Sequence, residues 1–136
     1  MLDAQTFTDK NVVEISNEKL IPIKIDTDSE YGMELFQKYN GHALPLILFI
    51  NKDNNEIDRF YGYLPPYEFI IKIENALNNT NSLSDYLEKY NRGNHGAELI
   101  KLLADKYSDK GEHDKAISLF NELLISYNQS KNDNEY

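Results

Sequence analysis

The chain has 136 residues, with 14 Lys and Arg against 23 Asp and Glu, so its formal net charge is −9. This acidic balance excludes a basic platform for nucleic acid or an anionic membrane surface, and the lack of cysteine excludes disulfides and thiolate chemistry by these residues. A hydrophobic content of 40%, with six Phe and ten Tyr, predicts a folded, soluble domain rather than a disordered chain.

The first predicted elements are a helix, a strand and a second helix. Asp9 is a suitable N-cap for a helix that continues to Ser16. Residues 20–26 then alternate between isoleucine and other residues, which is the period of a β-strand. Residues 26–29 offer N-cap side chains for a helix over about residues 30–39.

A β-hairpin and another helix follow. Residues 46–50 are apolar on both faces, as in a buried strand, residues 51–55 are typical of a turn, and residues 56–61 alternate as a return strand. A Pro-Pro pair starts a helix over residues 65–77. The longest apolar run contains Pro45 and is too short for a membrane span, so we expect no membrane insertion.

The second half of the chain is predicted to be helical. Residues 78–82 form a polar break and a candidate linker, which would make residues 1–77 the first domain. Apolar residues at helical spacing predict a helical extension over residues 83–128. The polar residues 129–136 are predicted to form a flexible tail.

Four segments of the first half stand in an informative order: Leu20-Ile-Pro-Ile-Lys-Ile-Asp26, Phe36-Gln-Lys-Tyr39, Ala43-Leu-Pro45 and Gly62-Tyr-Leu-Pro65. Their order and spacing resemble a thioredoxin-like domain of the thiol-disulfide interchange type. The resemblance implies an α/β fold, namely an incomplete three-layer α/β/α thioredoxin-like fold over residues 1–77, followed by a small all-α extension. It also implies thiol-disulfide exchange, the reduction or isomerisation of protein disulfides.

The resemblance begins partway through the family's fold. Met1–Asp9 resembles the stretch that follows the family's Cys-x-x-Cys motif, so neither that motif nor the central strand has a counterpart here. Two interpretations stay open. Either Met1 is an internal methionine of a longer gene product, or another chain supplies a strand to the unpaired sheet edge, which allows a homo-oligomer. The N-terminus as written lacks an export signal, which favours the cytoplasm, whereas an extracytoplasmic location requires a signal upstream.

The candidate substrate-binding residues lie in one predicted loop. By resemblance Pro45 is the family's cis-proline, and Leu44 and His42 precede it in the loop that would contact a peptide. A proline directly before a buried strand, after a helix ended by Asn-Gly, also needs a special turn on physical grounds. An ordinary trans proline and a solvated loop histidine are the alternatives.

No catalytic residue, metal site or cofactor is predicted. Exchange needs a thiolate, which an unactivated serine hydroxyl does not replace, so we expect a redox-inactive chain. His42, His95 and His113 lack the spacing of metal ligands. The alternative function is a non-catalytic module that binds peptide or protein partners through the cis-Pro loop and the last two helices.

The last two helices resemble a single tetratricopeptide helix pair. The residues at its packing positions are Leu103, Tyr107, Gly111, Ala116 and Phe120. Because such arrays need about three repeats to be stable alone, we expect this pair to pack on the first domain. Peptide binding by the pair is the alternative interpretation.

Overall fold

The computed structural model describes residues 1–133, most of which are helical. The elements are a π-helical turn (Leu2–Thr6), the helices α1 (Lys10–Lys19), α2 (Glu30–Lys38), α3 (Pro66–Asn78), α4 (Leu83–Asn91), α5 (Ala97–Asp109) and α6 (His113–Asp133), and the strands β1 (Leu46–Ile50) and β2 (Glu56–Tyr61). The predicted helices and the hairpin are confirmed. Helix α6 continues to Asp133, past its predicted end, and residues 134–136 of the predicted tail lie outside the described residues. None of the described helices is both long and apolar enough to cross a bilayer.

Local side-chain hydrogen bonds set the start of three helices. Asp9, Ser29 and Ser82 cap α1, α2 and α4 by accepting hydrogen bonds from backbone N–H groups of the first turn. The Asp9 carboxylate is 2.9 Å from the amide nitrogen of Asn11. These groups would otherwise lack a partner, which is why Asp9 and the polar residues 26–29 correctly predicted the starts of α1 and α2, whereas Ser82 was predicted only as part of the linker.

The hairpin contributes one face to the first of two hydrophobic cores. Strands β1 and β2 are antiparallel, with Ile47 opposite Phe60 and Phe49 opposite Asp58. Ile47, Phe49 and Phe60 pack with α1, α3 and the π-helical turn. The buried residues that these three elements contribute are Leu2, Val12, Phe69, Ile73 and Ala76.

Helices α4, α5 and α6 enclose the second core. Its buried residues are Leu83, Tyr86, Leu99, Ile100, Leu103, Ala104, Tyr107, Ala116 and Leu119. A buried ion pair joins this helical unit to the hairpin, because Lys106 Nζ lies 2.7 Å from both carboxylate oxygens of Asp58 on β2. The division into domains at residues 78–82 stays a prediction.

The predicted thioredoxin-like three-layer α/β/α fold is wrong. Within residues 1–133 the sheet has two strands, β1 and β2, and residues 20–26 join no ladder. The chain is instead mostly helical, with one antiparallel hairpin. The alternating isoleucines correctly predicted an extended conformation at Leu20, but a strand also needs a neighbour, and alternation carries no information about one.

Candidate peptide-binding site

The structure places all three predicted site residues in one exposed loop between α2 and β1. Asn40 adopts the left-handed conformation, with φ 52°, and the N–H of Gly41 donates to the carbonyl of Phe36 at 2.8 Å. This pattern ends a helix sharply. A side chain at Gly41 would collide with the Phe36 ring, so a larger residue there would displace that ring. The Leu44–Pro45 peptide bond is cis, as predicted.

Both ends of the loop are held to strand β2. The His42 ring packs against the Tyr61 ring at a tilt of 43°, with the ring centroids 4.2 Å apart. The carbonyl oxygen of Pro45 accepts a hydrogen bond from the N–H of Gly62 at 2.9 Å. Leu44 lies between these two attachments, and 60% of its surface is exposed. The loop therefore presents an apolar side chain from an anchored backbone.

Strand β1 continues from this loop with a free edge. Because hydrogen-bonded pairs alternate along an antiparallel ladder, the bond at Pro45 implies that Ile47 and Phe49 direct their backbone groups toward β2. The N–H and C=O groups of Leu46 and Leu48 then point the other way. No hydrogen bond to these groups from elsewhere in residues 1–133 is found. The edge beside Leu44 thus carries unused donors and acceptors.

The hairpin face beside this edge combines leucines with a buried ion pair. Leu48 lies opposite Arg59 and Leu46 lies opposite Tyr61. Arg59 donates two hydrogen bonds to Glu56, at 2.6 and 2.7 Å, and one to the Tyr61 hydroxyl at 3.1 Å. Burial acts to lower the pKa of Arg59, but the hydrogen bonds to Glu56 and Tyr61 outweigh it and raise that pKa. The guanidinium is therefore committed to its internal partners and orients Tyr61.

The end of helix α5 contributes charge near the loop. Burial raises the pKa of the Asp109 carboxyl, and Asp105 and Asp58 raise it further, while Lys106 and His42 act to lower it. The loop residue His42 is therefore electrostatically coupled to the helical unit as well as packed against the hairpin.

The remaining histidines are separate from this loop. His95 Nδ1 lies 2.7 Å from a carboxylate oxygen of Glu122 on α6. In the part of the chain that the structure describes, no group of three or more His, Asp or Glu side chains is arranged to hold a metal ion. Away from this loop, a shallow apolar groove lies on α6 and is lined by Phe120, Leu123, Leu124 and Tyr127, together with Ala97 at the start of α5.

Sequence reasoning identified the loop and predicted an unpaired sheet edge, but it did not specify which residues form that edge. Residues 46–50 were predicted to be apolar on both faces, and this does not indicate which of their backbone groups lack a neighbouring strand. The register between residues 46 and 61 was the available signal, since the turn at residues 51–55 sets which residues of β1 face β2.

Comparison of the chain with models of protein families, with curated proteins and with solved structures gives no match. The resemblance to the thiol-disulfide interchange family and the likeness to a tetratricopeptide pair therefore stay predictions.

Proposed function

We propose that this chain is a non-catalytic module that binds an extended polypeptide segment along the free edge of β1. The observation that carries the proposal is the free edge itself, where Leu46 and Leu48 direct backbone donors and acceptors outward next to the exposed Leu44. An extended peptide that adds a strand to a sheet edge gains main-chain hydrogen bonds, and pockets for alternate side chains give specificity.

The side chains beside the edge suit an apolar peptide. Leu46 and Leu48 are half-buried, so a bound strand would cover the rest of their surface. Tyr61, held by Arg59 and His42, lies one strand further from the edge and adds an aromatic side chain to the same face of the hairpin as Leu46. Aromatic rings that are already immobilised lose little conformational entropy on binding, which favours their use in recognition.

The charge of the chain favours a basic partner. With a net charge of −9, the protein attracts a positively charged segment at long range and speeds its encounter. The proposed partner is therefore an extended segment with alternating apolar residues and a surplus of Lys or Arg.

The proposed module is non-catalytic, because thiol-disulfide exchange requires a thiolate and these 136 residues include no cysteine. The loop side chains His42 and Leu44 supply no nucleophile paired with a base. Binding is therefore the activity that the loop and edge support.

Amide hydrogen exchange tests the edge residue by residue. In the free chain we expect the amides of Leu46 and Leu48 to exchange rapidly, while those of Ile47 and Phe49, which donate to β2, are protected. A saturating synthetic peptide of alternating valine and lysine should protect Leu46 and Leu48 selectively, as followed by NMR. Protection of these two amides in the free chain, or no change with peptide, would contradict the proposal.

A matched pair of charge variants tests the contribution of Leu44. Leu44→Lys places a positive charge at the loop and should weaken binding of the same basic peptide by about tenfold, as measured by fluorescence anisotropy. The control is Ile117→Lys on α6, because Ile117 is 57% exposed against 60% for Leu44. The two variants have the same net charge, so equal weakening would point to long-range charge and not to this loop.

A further inference from the structure

The segment at residues 20–26 belongs to no helix or sheet and lacks a backbone partner. It runs without helix, turn or bend, and Leu20 has the φ and ψ of a strand, −126° and 169°. Within residues 1–133, no hydrogen bond to the N–H or C=O groups of residues 21–25 is found. This segment, here called the isoleucine segment, therefore starts from a strand conformation at Leu20 and carries unused backbone hydrogen-bonding groups.

Only one edge of the isoleucine segment is complete. In an extended chain, Ile21, Ile23 and Ile25 direct their backbone groups to one edge, and Pro22 and Lys24 direct theirs to the other. Proline has no N–H, so the second edge lacks a donor at its centre. The isoleucine edge retains all three N–H groups and all three carbonyls, and is the one able to accept a strand.

The isoleucine side chains are also exposed. Leu20 packs against the first core, whereas residues 21–26 all lie at the surface, and Lys24 forms its ion pair with Asp3 there. Ile21, Ile23 and Ile25 are 89%, 75% and 43% exposed. Three exposed isoleucines in a row on one face are unusual for a surface without a partner.

We propose that a second copy of this chain pairs with the isoleucine segment in antiparallel orientation, centred on Ile23, to form a two-fold symmetric dimer. This pairing concerns a different surface from the edge of β1 and does not depend on the function proposed above. Each copy donates through Ile21, Ile23 and Ile25, so three N–H groups from each side give six hydrogen bonds.

The sequence of the segment favours a second copy as its occupant. Ile21-Pro-Ile-Lys-Ile25 has isoleucine at symmetric positions about Ile23, so antiparallel pairing sets isoleucine opposite isoleucine three times. The same register sets Asp26 of each copy opposite Leu20 of the other, so no like charges lie directly opposite each other within the paired segment.

Cysteine variants test this register, since the chain has no cysteine of its own. In the proposed dimer the two Ile23 Cα atoms are about 5.5 Å apart, within the range of about 4.4 to 6.8 Å that a disulfide spans. The two Lys24 residues are diagonal neighbours, about 7 to 8 Å apart. Ile23→Cys should therefore oxidise rapidly to a covalent dimer, and Lys24→Cys, as the matched control, should do so at least about tenfold more slowly.

Sedimentation equilibrium of the unaltered chain provides the second readout. The weight-average mass should rise from 15.8 kDa toward twice that value as the concentration approaches about 1 mM, the weak end of specific association. A salt concentration of about 0.15 M screens the repulsion between two acidic copies beyond about 8 Å.

Two outcomes would overturn the dimer. One is a mass that stays at 15.8 kDa at every concentration, and the other is equal oxidation rates for the two cysteine variants. If the chain stays monomeric but binds a synthetic peptide with isoleucine at alternate positions, the partner of the isoleucine segment is a different chain. The proposed dimer is then wrong.

Discussion

Asp58→Ala should lower the free energy of unfolding by about 3 to 5 kcal/mol, the cost of breaking a buried ion pair by removing one partner. The side chain of Asp58 is 4% exposed and that of Lys106 is 14% exposed, so the ammonium group that remains is largely shielded from water. Lys72 adds to the effect, because burial lowers its pKa and the charge of Lys106 lowers it further. Without Asp58, two neighbouring cations lose their shared anion. Urea unfolding followed by circular dichroism measures the loss.

The matched control for Asp58 is Asp105→Ala on α5. Asp105 forms an ion pair with Lys101, 3.0 Å away, and both side chains are more than half exposed. Exposed pairs contribute about 0 to 1 kcal/mol, so this variant should remain close to the unaltered chain. A double variant, Asp58→Leu with Lys106→Leu, should recover part of the loss, since apolar replacement of a whole buried pair is often neutral. If Asp58→Ala and Asp105→Ala lower the free energy of unfolding equally, the ion pair between Asp58 and Lys106 is solvated and not buried.

Ile73→Ala should destabilise the first core by about 2 to 5 kcal/mol, through lost apolar burial and the cavity that remains. Ile73 on α3 is fully buried among residues from the hairpin, α1 and the π-helical turn. Elements from four parts of the chain meet around it, so little of the cavity can close by movement of a single side chain. A loss of this size is a large part of a typical domain stability of about 5 to 15 kcal/mol. The same denaturant titration measures it.

Ile71→Ala provides the comparison for Ile73. Ile71 lies on the same helix, two residues earlier, and is 37% exposed. The two substitutions remove the same atoms and change helix propensity equally, so the difference between them reports burial alone. We expect Ile71→Ala to cost less than about 1 kcal/mol. If Ile73→Ala lowers the free energy of unfolding by less than Ile71→Ala does, Ile73 is not in the core described for the first half of the chain.

The candidate site was partly predictable because its parts depend on the sequence to different extents. The loop that holds His42, Leu44 and Pro45 follows from local features, namely a helix end at Asn-Gly and a proline before a strand. The contact between the His42 and Tyr61 rings joins residues 19 positions apart, and no pattern in the sequence indicates it. An unpaired sheet edge was also predicted, but from a fold that is wrong, and which residues of β1 form the free edge is a property of the whole sheet.

By itself the sequence determined the helix starts, the hairpin, the acidic charge and the absence of thiol chemistry. Helix caps and tight turns are interactions between residues at most four or five positions apart, so their residue types predict them directly. Only the tertiary structure decided that residues 20–26 form no strand, that Asp58 and Lys106 pair across 48 positions, and that the fold is mostly helical. Strand pairing and buried charge pairs require a partner distant in sequence, and the conformational preference of one segment does not specify where that partner lies.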